Sequence, residues 1–186
     1  MRVKPIIFNT QMVQTILSGE KHCTRRVIKY DTKSLLSSPY HESHPEVSDK
    51  HIVGKLCIPP YRVGDILYVR ESFNPGEQRI LYRADCPNAK DLKWTPAIHM
   101  PKTAARLWLK VTSIRVERLR EITEDGAIAE GMQGNTSPQD KQIPAVERFS
   151  TLWDTTISKS VLDQYGWLAN PWVWVIGFKV TQKPSS

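Results

Sequence analysis

The chain has 186 residues, the length of one domain, with 40% hydrophobic and 24% charged residues, an ordinary globular balance. No apolar run approaches the roughly 20 residues of a membrane span, and three scattered cysteines, Cys23, Cys57 and Cys86, with no CxxC pair, argue against a disulfide framework. The formal charge of +7 describes a surface that attracts polyanions, nucleic acid foremost.

The N-terminal MRVKPIIFNT is too short in its apolar part for a signal peptide. It reads as a strand over Val3 to Phe8, and the protein reads as cytoplasmic. Thr10 is placed to cap a helix over Gln11 to Ser18, with Met12, Val13, Ile16 and Leu17 on one face and Gly19 as the stop. The stretch GEKHCTRR follows. From Lys29 to about Lys55 the pattern dissolves into Ser, Pro, His and charge, which predicts a loop; His41, His44 and His51 within it read as solvated rather than as metal ligands. YRVGDILYVRES predicts a Gly-Asp turn and then a strand through Ile66, Leu67, Tyr68 and Val69, with RILYRAD as a partner strand. Residues Pro87 to Lys102 look irregular. ARLWLKVTSIRVERL alternates, with Leu107, Leu109 and Val111 on one face, and predicts a long strand or a bent pair.

Thr123 then caps a short helix, EDGAIAEG, with Glu124 and Asp125 in the first turn, where the helix dipole favours anions, and Gly131 at the end. Gln133 to Gln142 reads as a loop. Ile143, Val146, Phe149, Leu152 and Trp153 recur at helical spacing, NPWVWVIGFKV is a closing strand, and the last residues form a frayed tail. Together these elements predict an α+β domain with a mostly antiparallel, curled sheet.

Two places stand out chemically. Lys21 and Thr24 are three apart, so a bend would bring them together, and a lysine near a hydroxyl can act as its base when burial or nearby cations lower its pKa. Arg25 and Arg26 are such cations. The same stretch also reads as a basic turn that touches water or phosphate. Lys21 follows the helix stop, which predicts an exposed side chain. Glu130 lies at the C-terminal end of its helix, where the dipole disfavours a carboxylate; a cation across from it would offset the cost, and a solvated glutamate is the plain alternative. Glu71, beside Arg70 at a strand end, reads as an ion-pair partner or a site carboxylate, and Asp65 as a turn residue. Trp153, Trp172 and Trp174 read as core, whereas Trp94 lies in a loop near His99.

The order of these motifs resembles the ASCH family of the PUA-like superfamily. The matching pieces are ILSGEKHCTRR, VGDILYV, ITEDGAIAEGM and VWVIGFKV. They are similar to small bacterial amidohydrolases of that family that act on N4-acetylcytidine, with the pattern G-x-K-x-x-T-x-R and a later T-E-x-x-A-x-x-E-x-M. The longer form, with VRES, IHMP and NPWVWVI, looks like ASCH proteins carried by phages and prophages. The resemblance implies a small, mostly antiparallel β-barrel with peripheral helices. It implies one domain over residues 1–181, with insertions near 29–60, 72–103 and 133–168, and a flexible tail over 182–186. It places the family's catalytic residues on Lys21, Thr24 and Glu130 and its motif arginine on Arg26.

Arg25, Arg26, Arg70, Glu71, Trp94 and His99 make up the candidate substrate- or nucleic-acid-binding set, and neither a metal nor a cofactor is assigned. The implied activity is removal of the acetyl group from N4-acetylcytidine or a related acylated base. The alternatives are a module that binds a nucleoside or RNA, or single-stranded DNA, and a nuclease of phage or defence context. No membrane partner is expected.

Overall fold

The computed structural model describes residues 2–86, 88–132 and 143–184. The expected loop over Gln133 to Gln142 lies outside them. Seven strands are described: β1 (Val3–Ile7), β2 (Cys23–Val27), β3 (Ile66–Arg70), β4 (Phe73–Asn74), β5 (Leu81–Tyr82), β6 (Trp108–Arg118) and β7 (Trp172–Thr181). Five of them make a mostly antiparallel sheet in the order β1-β3-β6-β7-β2, and β4 and β5 form a separate two-stranded ribbon. The β1–β3 pair is parallel, with Val3 opposite Ile66, and β3–β6 is antiparallel, with Leu67 opposite Leu109. The architecture is α+β, as the sequence predicts, and no closed barrel is present among the described strands. Among the described residues no helix is long and apolar enough to cross a membrane.

The chain divides into two compact units. The first comprises Met1–His22, Tyr61–Thr112 and Gly177–Ser186. Its helix α1 (Thr10–Leu17) buries Val13 and Ile16, while Leu17 stays half exposed. Asn9, not Thr10, is the cap: its Oδ1 accepts the Met12 N–H at 2.8 Å. Asn is as good a cap as Thr, and it stands one residue before the first helical turn. Gly19 follows the helix with φ +81, a left-handed conformation that glycine adopts without a Cβ clash, and the chain folds back so that the Glu20 and Lys21 N–H groups both donate to the Thr15 carbonyl. The Gly64-Asp65 turn forms as expected. Asp65 accepts the Arg62 N–H at 2.9 Å and ion-pairs with Arg2 at 3.2 Å. Burial opposes its charge, but the hydrogen bonds from Arg62 and Arg2 outweigh it and lower its pKa. RILYRAD contributes only two residues of strand, paired with β4 rather than with the main sheet.

The second unit comprises Cys23–Pro60 and Ser113–Ile176. The stretch expected as a loop from Lys29 to Lys55 instead forms α2 (Thr32–Leu36), α3 (Pro39–Ser43) and α4 (Asp49–Leu56). Asp31 and Ser48 cap the first and third of these, and α4 buries Ile52 and Val53. Helices this short lack a long apolar period and are held by packing rather than by propensity. His41, read as solvated, contacts Asp49 at 2.9 Å.

Helix α5 (Glu124–Ala129) has the expected cap, the Thr123 Oγ1 accepting the Gly126 N–H at 3.0 Å, and Gly131 follows with φ +92. The Glu124 carboxylate also accepts the first two N–H groups of α6 (Ala145–Thr156), at 2.8 and 3.3 Å. Ala145, Phe149 and Trp153 form the buried stripe of α6; Ile143, expected on it, precedes the helix and is 40% exposed. The short α7 (Leu162–Tyr165) leads towards β7, whose residues from Trp172 to Phe178 are all buried. An unbroken buried run of this kind marks a strand covered on both faces.

Candidate functional site

In the second unit a buried polar cluster is built around Arg25. The residue stands in the middle of β2, and its side chain is only 1% exposed. Its Nη2 and Nε donate to Glu117 Oε1 at 2.5 and 2.9 Å, and its Nη1 donates to Glu130 Oε1 at 3.2 Å. The Phe149 ring lies 5.7 Å from the guanidinium carbon. Burial works against the charge on Arg25, but the carboxylates of Glu130 and Glu117 outweigh it and raise its pKa above the ordinary value. Glu117 also meets Arg115 at the surface, at 3.2 Å.

Glu130 is the C-cap of α5 and is 4% exposed. The cation expected to offset its unfavourable dipole position is therefore Arg25. Thr24, next along β2, is 1% exposed, and Arg26 is half-buried, its Nη1 donating to the Arg25 carbonyl at 3.3 Å. A β-strand runs through Cys23–Val27 where the basic stretch left open a bend or a turn.

In the first unit Lys21 is 2% exposed, which corrects the expectation of an exposed side chain. The reason is local. The double hydrogen bond to Thr15 turns the chain inward after Gly19, and Lys21 Nζ comes to lie 5.7 Å from the centre of the Phe8 ring. A second polar cluster in this unit holds Glu71, itself 1% exposed. Arg106 grips it with two parallel bonds, Nε to Oε1 at 3.0 Å and Nη2 to Oε2 at 3.2 Å, and reaches Asp85 at 2.5 Å. The Arg106 guanidinium stacks 4.0 Å from the centre of the Tyr82 ring. Burial raises the Glu71 pKa, with Arg106 acting in the opposite direction.

Of the wider binding set, Arg70 donates its Nε to the Met100 carbonyl at 2.9 Å and an Nη to the Ile98 carbonyl, bracing that loop. Trp94 is half-buried, its indole N–H donating to the Ala89 carbonyl at 3.3 Å, while His99 is exposed. The structure thus joins Arg25 to Glu130, and it engages Glu71 and Arg70 in contacts within their own unit.

Glu117, Arg106 and Asp85 escaped the sequence reading. Glu117 had no usable signal: Ser113 and Arg115 share its register and are exposed, so the alternation that buries Leu109 and Val111 does not reach it. Arg106 had none, being 35 residues from Glu71. Among the described residues no three His, Cys, Asp or Glu side chains gather as a metal ion would need.

The class of molecule is an α+β protein with a five-stranded sheet and buried polar side chains at its motif positions. No protein-family model matches the chain, and no curated protein matches it. It is structurally similar to an ASCH domain from Lactobacillus crispatus JV V101, with 14% identity and a TM-score of 0.42, over 96% of this chain and 79% of that one. It is also similar to the crystal structure of hypothetical protein PH0355, with 11% identity and a TM-score of 0.44, over 97% of this chain and 100% of that one.

Proposed function

We propose that the protein is an amidohydrolase that removes the acetyl group from N4-acetylcytidine or a related acylated nucleobase. The observation that carries this reading is the burial of the motif's polar side chains: Lys21, Thr24 and Glu130 are 2%, 1% and 4% exposed. Taking such groups out of water is costly, and a patch that merely grips phosphate would keep its cations solvated.

The motif resemblance supplies the roles. Lys21 accepts the proton of Thr24 or of water, and the oxygen adds to the acetyl carbonyl. Arg26 holds the developing oxyanion, and the proton that Lys21 took up returns to the departing amine by way of Glu130. With water as nucleophile, acetate and cytidine leave directly. With Thr24 as nucleophile, an acetyl ester forms on its oxygen, and a water molecule then hydrolyses it. Arg25 is a positioning residue, holding Glu130 through a charge-assisted bond.

The experiment is a release assay with N4-acetylcytidine, free and within RNA, run on the wild type, Lys21→Ala and Glu130→Gln. Lys21→Ala is expected to slow turnover on the order of 10²–10⁴-fold, the usual effect of losing a general base. A folded wild type that releases no cytidine from either substrate overturns the reading. The +7 charge favours a second reading, a module that binds RNA or single-stranded DNA.

A further inference from the structure

The second unit contains a cavity of about 700 Å³ that the motif residues do not line. Its walls come from the segment after β2 (Ile28 to Lys33), the last residue of β6 (Arg118), the helix α7 and the start of β7 (Pro171 and Trp172). A volume near 700 Å³ falls within the range of about 300–1,000 Å³ usual for small-molecule sites.

The lining has two kinds of chemistry. Lys29, Lys33 and Arg118 supply positive charge, and Tyr30, Tyr165 and Trp172 supply aromatic rings. Arg118 stacks on Trp172, its guanidinium carbon 4.3 Å from the ring centre, and donates from Nη1 to the Asn170 carbonyl at 3.2 Å. Trp172 is 5% exposed, and its buried indole N–H has no acceptor among the described residues. A buried donor without a partner is uncommon.

Two acidic residues, Asp31 and Asp163, also line the cavity. The Asp31 carboxylate is already engaged in capping α2, accepting the Ser34 N–H at 3.1 Å and its hydroxyl at 2.6 Å. Three cationic side chains, Lys29, Lys33 and Arg118, face the two acidic ones. A simple anion would need only the lysines. Tyr30, Tyr165 and the stacked guanidinium of Arg118 suit a planar group as well, and a nucleotide carries both a planar base and an anionic phosphate.

We propose that this cavity holds one nucleotide. Its base stacks on the aromatic and guanidinium wall, and its phosphate lies between Lys29 and Lys33. The nucleotide comes either free or as one unit of a single strand. The proposal uses only residues of the second unit and does not rest on the amidohydrolase reading.

The test uses the full chain and two probes, adenosine monophosphate and a labelled single-stranded RNA of eight nucleotides. Two variants change only exposed side chains, so the fold survives: Tyr30→Ala, and Lys29→Ala with Lys33→Ala. Tyr30→Ala is expected to weaken binding about tenfold or more, the usual effect of removing one stacking ring. The double lysine variant is expected to reduce the salt slope of RNA binding by about 0.7, the share of one phosphate in a single strand. The Trp172 indole N–H resonance should shift when either binding probe is added. Binding of both probes means that a free nucleotide suffices; binding of RNA alone means that the nucleotide belongs to a chain. Binding of neither probe at low salt overturns the proposal, and so does binding that both variants and the Trp172 resonance ignore.

Discussion

Replacing Arg25 by methionine tests whether the buried ion cluster holds the second unit together. Methionine keeps much of the side-chain length and loses the charge. Three bonds to carboxylate oxygens go, at 2.5, 2.9 and 3.2 Å, and the partners are themselves almost wholly buried. Removing one member of a buried pair costs about 3–5 kcal/mol, because charge is left behind in a poorly solvated place. Arg115, with its side chain 52% exposed, still faces Glu117 at 3.2 Å, so the loss should fall near the lower end, about 3 kcal/mol. That is a large share of the roughly 5–15 kcal/mol that holds a typical domain.

Urea unfolding of the variant beside wild type measures this loss. A variant within about 0.5 kcal/mol of wild type at pH 7, the range of an ordinary surface change, would refute the reasoning.

Asp65 has a lowered folded pKa, so the stability it contributes is fully present above the ordinary aspartate value of about 3.9 and is lost as pH falls through its folded value. Thermal melts of Asp65→Asn should therefore show a shallower acid limb than wild type between about pH 4 and pH 2; parallel limbs would count against the Arg62 and Arg2 bonds. Arg106→Lys replaces a planar fork with a point charge. It should lower stability by about 2 kcal/mol through the weakened grip on Glu71, and an unchanged urea midpoint would show that the pair contributes nothing.

What the sequence determined by itself is local. Thr123 and Gly131 bracket α5 because a cap and a left-handed stop act within one turn of the helix, and that bracket alone puts Glu130 at the C-terminal end. The long alternation from Leu107 onward became a single strand, β6, and the closing apolar run became β7. The Gly64-Asp65 turn was legible for the same reason. Tertiary structure decided the rest. Arg25 meets Glu117 and Glu130 across 92 and 105 residues, distances over which no spacing rule operates. Only the placement of β2, the end of β6 and α5 within the second unit brings them into contact. The helices α2 to α4 lay hidden in a polar stretch because segments of five to eight residues do not nucleate alone and take their stability from what they pack against. Lys21 looked solvated because it follows a helix stop. It is buried because the chain turns back on Thr15 there, and burial is a property of the surrounding chain rather than of the residue.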